Sequence, residues 1–158
     1  TGVQRVLFRS AIDVDAVHRF WNSPLGVALQ SARSGIRREW PFTVRMTSAD
    51  LGALNVPCNP GLAPDEFIVV QGIVDLAALT PDGIWLVDFK TDRVDAQSAR
   101  SRAELYRPQL GVYAMALERI LGQPVVRRSL HFLEPGVTVD LDKAPAPPLH
   151  TFGSQPRR

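Results

Sequence analysis

Phe67-Ile68-Val69-Val70-Gln71-Gly72-Ile73-Val74-Asp75-Leu76, followed by Thr80-Pro81-Asp82-Gly83 and then Ile84-Trp85-Leu86-Val87-Asp88-Phe89-Lys90, is the stretch on which the fold turns. The first run is dense in β-branched residues and reads as a buried strand. Thr80-Pro81-Asp82-Gly83 is a strong turn signal, because proline presets the second position and glycine suits the last. The third run returns as a strand, so the three together predict a hairpin. Asp88 and Lys90 are two apart and share one face. Asp75 closes the preceding apolar run. A turn centred between Pro81 and Asp82 sets it directly opposite Asp88. A three-residue turn on Pro81, Asp82 and Gly83 sets the two aspartates on opposite faces unless a bulge intervenes.

Working outward, Asp13 or Asp15 caps a first helical segment holding Val17, Phe20 and Trp21, and Ser23-Pro24 starts a second helix with Leu25, Leu29 and Ala32 at helical spacing. Gly35 is placed as its C-cap. Ile36 to Met46 reads as a strand with Pro41 pointing to an edge or a bulge. Asp50 to Glu66, with Pro57, Pro60 and Pro64, reads as a loop or a pair of short turns. Downstream, a helix covers much of Ala96 to Leu121, bent or restarted at Pro108 and ended by Gly122-Gln123-Pro124. Val125 to Leu133 is a further strand and Val137 to Leu141 a short one. The order of helices, strands, helix and strands predicts a mixed α/β domain with a central sheet. Residues 1–142 are assigned to it, and the Pro-rich 143–158 to a flexible tail.

The 158 residues are 45% hydrophobic and 22% charged with a formal net charge of +2, which suits one globular domain rather than disorder. The mild positive charge allows a polyanionic partner without demanding one. No apolar run is long enough to span a bilayer, and the absence of a G-x-x-x-x-G-K-[ST] motif places any ATPase elsewhere. One cysteine, Cys58, excludes an internal disulfide and a cysteine-rich zinc site, and points to a reducing, cytoplasmic compartment. The chain opens at Thr1 and runs directly into Val6-Leu7-Phe8, which reads as a piece of a longer polypeptide.

A carboxylate and an ammonium near the inner end of an apolar strand are costly to desolvate unless paired or bound. Two carboxylates facing each other across a hairpin repel by several kcal/mol, on the order of 332/(εr). A divalent cation removes that repulsion, and hard carboxylate oxygens suit Mg2+ or Mn2+. The competing reading is a plain Asp88–Lys90 ion pair with Asp75 capping a turn, since D-x-K is a short pattern.

Gly72-Ile73-Val74-Asp75, then Leu86-Val87-Asp88-Phe89-Lys90-Thr91-Asp92, then Tyr106, Gln109 and Tyr113 resemble the RecB/AddA branch of the PD-(D/E)xK nucleases. That branch carries G-x-x-D, D-Y/F-K-T and a helix with Q-x-x-x-Y. Arg38-Glu39-Trp40-Pro41-Phe42 is similar to its R-E-x-P-F segment. The match runs from about Arg38 to Leu117. It implies a restriction-endonuclease-like three-layer α/β core with a mixed sheet flanked by helices.

By the same resemblance, Asp75, Asp88 and the backbone carbonyl of Phe89 are metal ligands, with Mg2+ as the cofactor and Mn2+ a substitute. Lys90 orients the attacking water and stabilises charge on the phosphate, and Glu39 orders water or a second metal beside the cluster. Gln109 and Tyr113 share a helix face that positions substrate or the carboxylates, although Tyr113 also suits packing on the sheet with Leu110, Leu117 and Leu121. Tyr106 and Arg107 are placed to touch nucleic acid, with Arg93, Arg100 and Arg102 giving a basic edge. The branch often carries a metal-binding histidine well before R-E-x-P-F. Here His18 lies close to Glu39 on what reads more like a packing helix; either it is that ligand, or the branch's histidine belongs upstream of Thr1 or is dispensed with. His131 and His150 carry no motif.

The implied activity is metal-dependent hydrolysis of DNA, at single-stranded or unwound duplex ends, in recombinational double-strand-break repair beside a helicase domain or subunit. The alternatives are a retired nuclease fold kept for DNA binding or helicase contact, and a restriction-type endonuclease. RNA is a weaker substrate.

Overall fold

The computed structural model describes residues 13–32, 35–57, 63 and 66–143. Cys58, His150, the opening Val6-Leu7-Phe8 and the proline-rich stretch after Lys143 lie outside them.

Helices α1 (Val14–Asn22) and α2 (Pro24–Ser31) form where their caps predict. Asp13 accepts from the Ala16 amide, and Ser23 from the Gly26 amide with Pro24 just inside the helix. Strand β1 (Ile36–Thr47) leads into the short helix α3 (Ser48–Ala53) and pairs antiparallel with β2 (Phe67–Thr80), which pairs in turn with β3 (Gly83–Lys90). A crossover through α4 (Ala99–Glu104) and α5 (Arg107–Leu121) returns the chain as β4 (Val125–Phe132), parallel to β3. Strand β5 (Val137–Asp140) completes a five-stranded sheet in the order β1-β2-β3-β4-β5. The sheet is therefore mixed, antiparallel except at the β3–β4 pair.

Two apolar clusters lie on its two faces. Phe20, Leu25 and Leu29 of α1 and α2 meet Leu76, Ala78 and Val87 on one side. On the other, Leu110, Ala114 and Leu117 of α5 and Ala99 and Ala103 of α4 meet Val74, Ala77, Ile84, Leu86, Leu130 and Phe132. Alternation along β3 makes the division: Ile84 and Leu86 face α5, whereas Trp85, Val87 and Phe89 face α1 and α2. This is the expected three-layer α/β arrangement.

The hairpin pairs Leu76 with Val87 and Thr80 with Gly83, leaving Pro81 and Asp82 as a two-residue turn. Of the two registers open to the sequence, this is the one that sets Asp75 at the level of Asp88. The long ribbon of β1 and β2 has one further irregularity. Leu76 and Ala78 belong to the α1–α2 cluster, yet Val70 and Val74, of the same parity, belong to the α5 cluster. The alternation inverts at Asp75, and the residue across from it on β1, Glu39, has a left-handed φ of 46°. A non-glycine residue in that region is strained, and such strain gathers at functional sites.

Two expectations need correction. Gly35 is not a helix C-cap: α2 ends on Ala32, and Gly35 lies at the head of β1, where a Cβ would strike the Leu79 carbonyl oxygen. The stretch from Asp50 is not purely loop, since α3 runs into it, started by a capping box between Thr47 and Asp50. The downstream helix restarts at Pro108 as expected: α4 ends at Glu104, and α5 begins with Tyr106 as N-cap and Pro108 in its first turn.

Candidate active site

Asp88 is only 2% exposed, on the α5 face of β3 at its inner end. Its carboxylate is deep enough that desolvation raises its pKa, an effect that nearby Asp75 reinforces and Lys90 opposes. Lys90 Nζ lies 2.8 Å from Asp88 Oδ2 as an ion pair. Apart from this ion pair, the buried Asp88 Oδ2 has no hydrogen-bond partner among the described residues. From α5, Gln109 bridges the pair: Lys90 Nζ donates to Gln109 Oε1 at 3.1 Å, and Gln109 Nε2 donates to Asp88 Oδ1 at 3.4 Å and to the Tyr113 hydroxyl at 3.0 Å. Gln109 and Tyr113 thus share one helix face, as their spacing requires. Tyr113 also packs edge-on against Phe42, 5.3 Å between ring centres, so it serves both the site and the core.

Asp75 reaches the site from β2, where its Oδ2 accepts the Phe89 amide N–H at 2.8 Å. It lines a cleft of about 480 Å³ together with Val17, Phe20, Trp21, Arg38, Leu76, Phe89 and Leu133. The two aspartates therefore stand on neighbouring strands at the point where β2 and β3 part.

Glu39 occupies the next strand at the same level, since Arg38 pairs with Leu76 and Trp40 with Val74. It is exposed, and neither it nor His18 is gathered with the two aspartates: among the described residues no three His, Cys, Asp or Glu side chains form a metal-holding group. His18 is exposed on α1 beside the Asn22 side chain. Arg38 lies over the Trp21 ring at 5.4 Å.

The structure gives the basic edge acidic partners within the chain. Arg107 pairs with Glu104, Arg102 with Asp92, Arg93 with Glu134 and Arg100 with Glu104. Tyr106 donates its hydroxyl to Asp92 and carries Lys90 Nζ 4.3 Å from its ring centre. The sequence pattern includes Asp92 but assigns it no role. Its place two residues after Lys90 is a signal that it stays near the lysine, although only the fold brings Tyr106 and Arg102 to it. His131, on β4 beside Phe89, is fully buried, bonded through Nδ1 to Thr138 and stacked edge-on with Phe20. Burial lowers its pKa to about 4.

Asp75 and Asp88 bring hard carboxylate oxygens to the site, with the Lys90 ammonium and the Gln109 amide beside the Asp88 carboxylate. Carboxylate and carbonyl oxygens suit a hard divalent cation, and Asp75, Asp88 and the Phe89 carbonyl are the groups that would hold one.

A mixed sheet with an aspartate on each arm of a central hairpin, a lysine two residues on and a glutamine–tyrosine helix over them defines a nuclease core. The chain belongs to the PD-(D/E)XK nuclease superfamily, whose family model matches residues 3–149. It is similar to an ATP-dependent helicase/nuclease subunit of Carboxydothermus hydrogenoformans, at 36% identity over 79% of this chain and 10% of that protein. The protein of the same name in Desulforudis audaxviator is 38% identical over 80% of this chain and 10% of its own length, and that of Bacillus mycoides 34% over 84% and 11%. The chain thus spans about a tenth of the length of these relatives. No helix among the described residues is long and apolar enough to cross a membrane.

Proposed function

We propose that this domain, residues 1–142, hydrolyses phosphodiester bonds in DNA with Mg2+, for which Mn2+ substitutes. The observation that carries the reading is Asp88: a buried carboxylate flanked by Asp75 and held by a lysine–glutamine bridge. A purely structural ion pair has no need of a second carboxylate whose charge raises the pKa of the first.

When bound, the cation acidifies water and polarises the phosphate. The chain's own residues do the rest. Asp75 and Asp88, with the Phe89 carbonyl, hold the cation. Lys90 aims its ammonium at the attacked phosphate and steadies the charge that builds there. Gln109 keeps Lys90 and Asp88 in mutual register, and Tyr113 keeps Gln109 in place. Glu39, on the outer strand, orders water at the rim. Arg107 stands at the head of α5, where a DNA phosphate would compete with Glu104 for it.

The substrate we favour is single-stranded DNA or unwound duplex ends delivered by a helicase in double-strand-break repair, in the cytoplasm. Support comes from the names of the relatives, which join helicase and nuclease. End-labelled single strands, blunt duplex and closed circular duplex, each incubated with Mg2+, test this choice. Degradation of the single strands is the expected result. Discrete fragments from duplex would favour a restriction-type enzyme, and DNA binding without any cleavage a retired fold.

A further inference from the structure

A lysine side chain has four rotatable bonds, and holding its ammonium at one point requires partners on more than one side. Asp88 and Gln109 supply two of them, at 2.8 Å and 3.1 Å. The third is the ring of Tyr106, whose centre lies 4.3 Å from Lys90 Nζ. This ring is itself fixed. Its hydroxyl donates to Asp92 at 2.9 Å and 3.1 Å, and Asp92 receives Arg102 Nε at 2.6 Å. The Asp92 side chain is only 16% exposed, and the Arg102 guanidinium lies 5.7 Å from the Tyr106 ring centre. Tyr106 sits at the N-cap of α5, just before the turn that carries Gln109, so the same helix start positions two of the three partners of Lys90.

We propose that Tyr106, clamped by Asp92 and Arg102, is a positioning residue for Lys90: its ring face holds the ammonium over Asp88 and against Gln109. This replaces the role expected from sequence, contact with nucleic acid, which for an aromatic ring means stacking on a base. The ring face toward Lys90 is taken up by the ammonium, and the hydroxyl is spent on Asp92. A flat, electron-rich face is the right chemistry for this task, since it attracts a cation without supplying a base that could remove its proton. The inference rests on the proposed role of Lys90 in cleavage.

The test separates the two readings by what each does to turnover and to DNA binding. Steady-state cleavage of single-stranded DNA is measured for the wild type, Tyr106→Leu, Tyr106→Phe, Asp92→Asn and Lys90→Ala. Affinity for the same DNA in chelator is measured by fluorescence anisotropy. Positioning predicts that Tyr106→Leu lowers kcat about tenfold, with KM and affinity nearly unchanged. Tyr106→Phe, which keeps the ring and loses its anchor, falls between wild type and Tyr106→Leu. Asp92→Asn, which still accepts from the hydroxyl but loses charge toward Arg102, follows Tyr106→Phe. In a Lys90→Ala background, Tyr106→Leu adds no further loss.

Stacking predicts the reverse: Tyr106→Leu weakens affinity and raises KM at constant kcat, Tyr106→Phe is normal and Asp92→Asn is silent. That pattern would overturn the proposal, as would an equal loss from Tyr106→Leu with and without Lys90. If Tyr106→Leu fails to fold, Tyr106→Phe and Asp92→Asn still carry the comparison. Full cleavage by Lys90→Ala would instead overturn the underlying assignment of the site, a result distinct from either of these.

Discussion

Asp88→Asn removes one charge from the interior and leaves the side-chain shape in place. At 2.8 Å from Lys90, the lost attraction is about 6 kcal/mol at an effective dielectric of 20. Against it stand the desolvation of a carboxylate that is 2% exposed, several kcal/mol, and the repulsion from Asp75. Burial decides the direction of the balance, since desolvation is the largest influence on Asp88 and raises its pKa despite the lysine. The penalties outweigh the attraction, and Lys90 keeps Gln109 and the Tyr106 ring when Asp88 is neutralised.

Asp88→Asn should therefore stabilise the metal-free domain by roughly 1 kcal/mol, which for a domain of this size raises Tm by about 2–4 °C. The pH dependence follows. A carboxyl whose pKa is raised in the folded state favours folding when protonated, and that contribution is lost as pH rises through the folded value. The variant's advantage should accordingly be largest at neutral pH and vanish below the ordinary carboxylate pKa of 3.8.

With Mg2+ the order reverses, since a cation at a hundred times its Kd adds about 2.7 kcal/mol to the wild type alone. The assay is thermal unfolding of both proteins in chelator and in saturating Mg2+, across pH. A fall in the variant's Tm by several degrees in chelator would refute the balance. An equal Mg2+ shift in both proteins would refute Asp88 as a ligand.

His131 gives an opposite pH signature. Its folded pKa of about 4 lies below the unfolded 6.5, so the stability it contributes is complete above pH 6.5 and is lost as pH falls through about 4. His131→Asn should flatten the acid limb of a Tm-against-pH curve over that window. Gly35→Ala should lower Tm by several degrees, because its Cβ would strike the Leu79 carbonyl oxygen and overpacking costs about 1–3 kcal/mol. Thr47→Ala breaks the α3 capping box and should cost about 1 kcal/mol in denaturant unfolding, with cleavage unchanged.

The hairpin was legible because its signals are local. Alternation, the Pro81-Asp82 turn and the apolar runs are all set by neighbouring residues, and they put Asp88 and Lys90 on one face, whereas Asp75 had two registers open to it until the pairing of Thr80 with Gly83 chose one. Ser23-Pro24 and Asp13 announced their helices for the same reason. The α3 helix was missed because a six-residue element has little periodicity, and its capping box is visible only if Thr47 and Asp50 are read together against a proline-rich background. Gly35 looked like a cap because glycine serves many backbone needs, and only the sheet reveals the close approach of Leu79. The Tyr106–Asp92–Arg102 clamp joins residues from β3's exit, α4 and the start of α5. No local pattern encodes that convergence. Nor could sequence foresee the inversion of facing at Asp75, which goes with the left-handed backbone of Glu39 across from it.

Metal-dependent cleavage centred on Asp75, Asp88 and Lys90 is what the whole mechanism depends on. It is probed by incubating the purified domain with labelled single-stranded DNA in Mg2+ and in chelator, beside Asp88→Ala. Cutting should require the metal and fall at least about a thousandfold in the variant, a loss of about 4 kcal/mol in transition-state stabilisation. Cutting that persists in chelator, or that Asp88→Ala retains in Mg2+, would contradict the assignment.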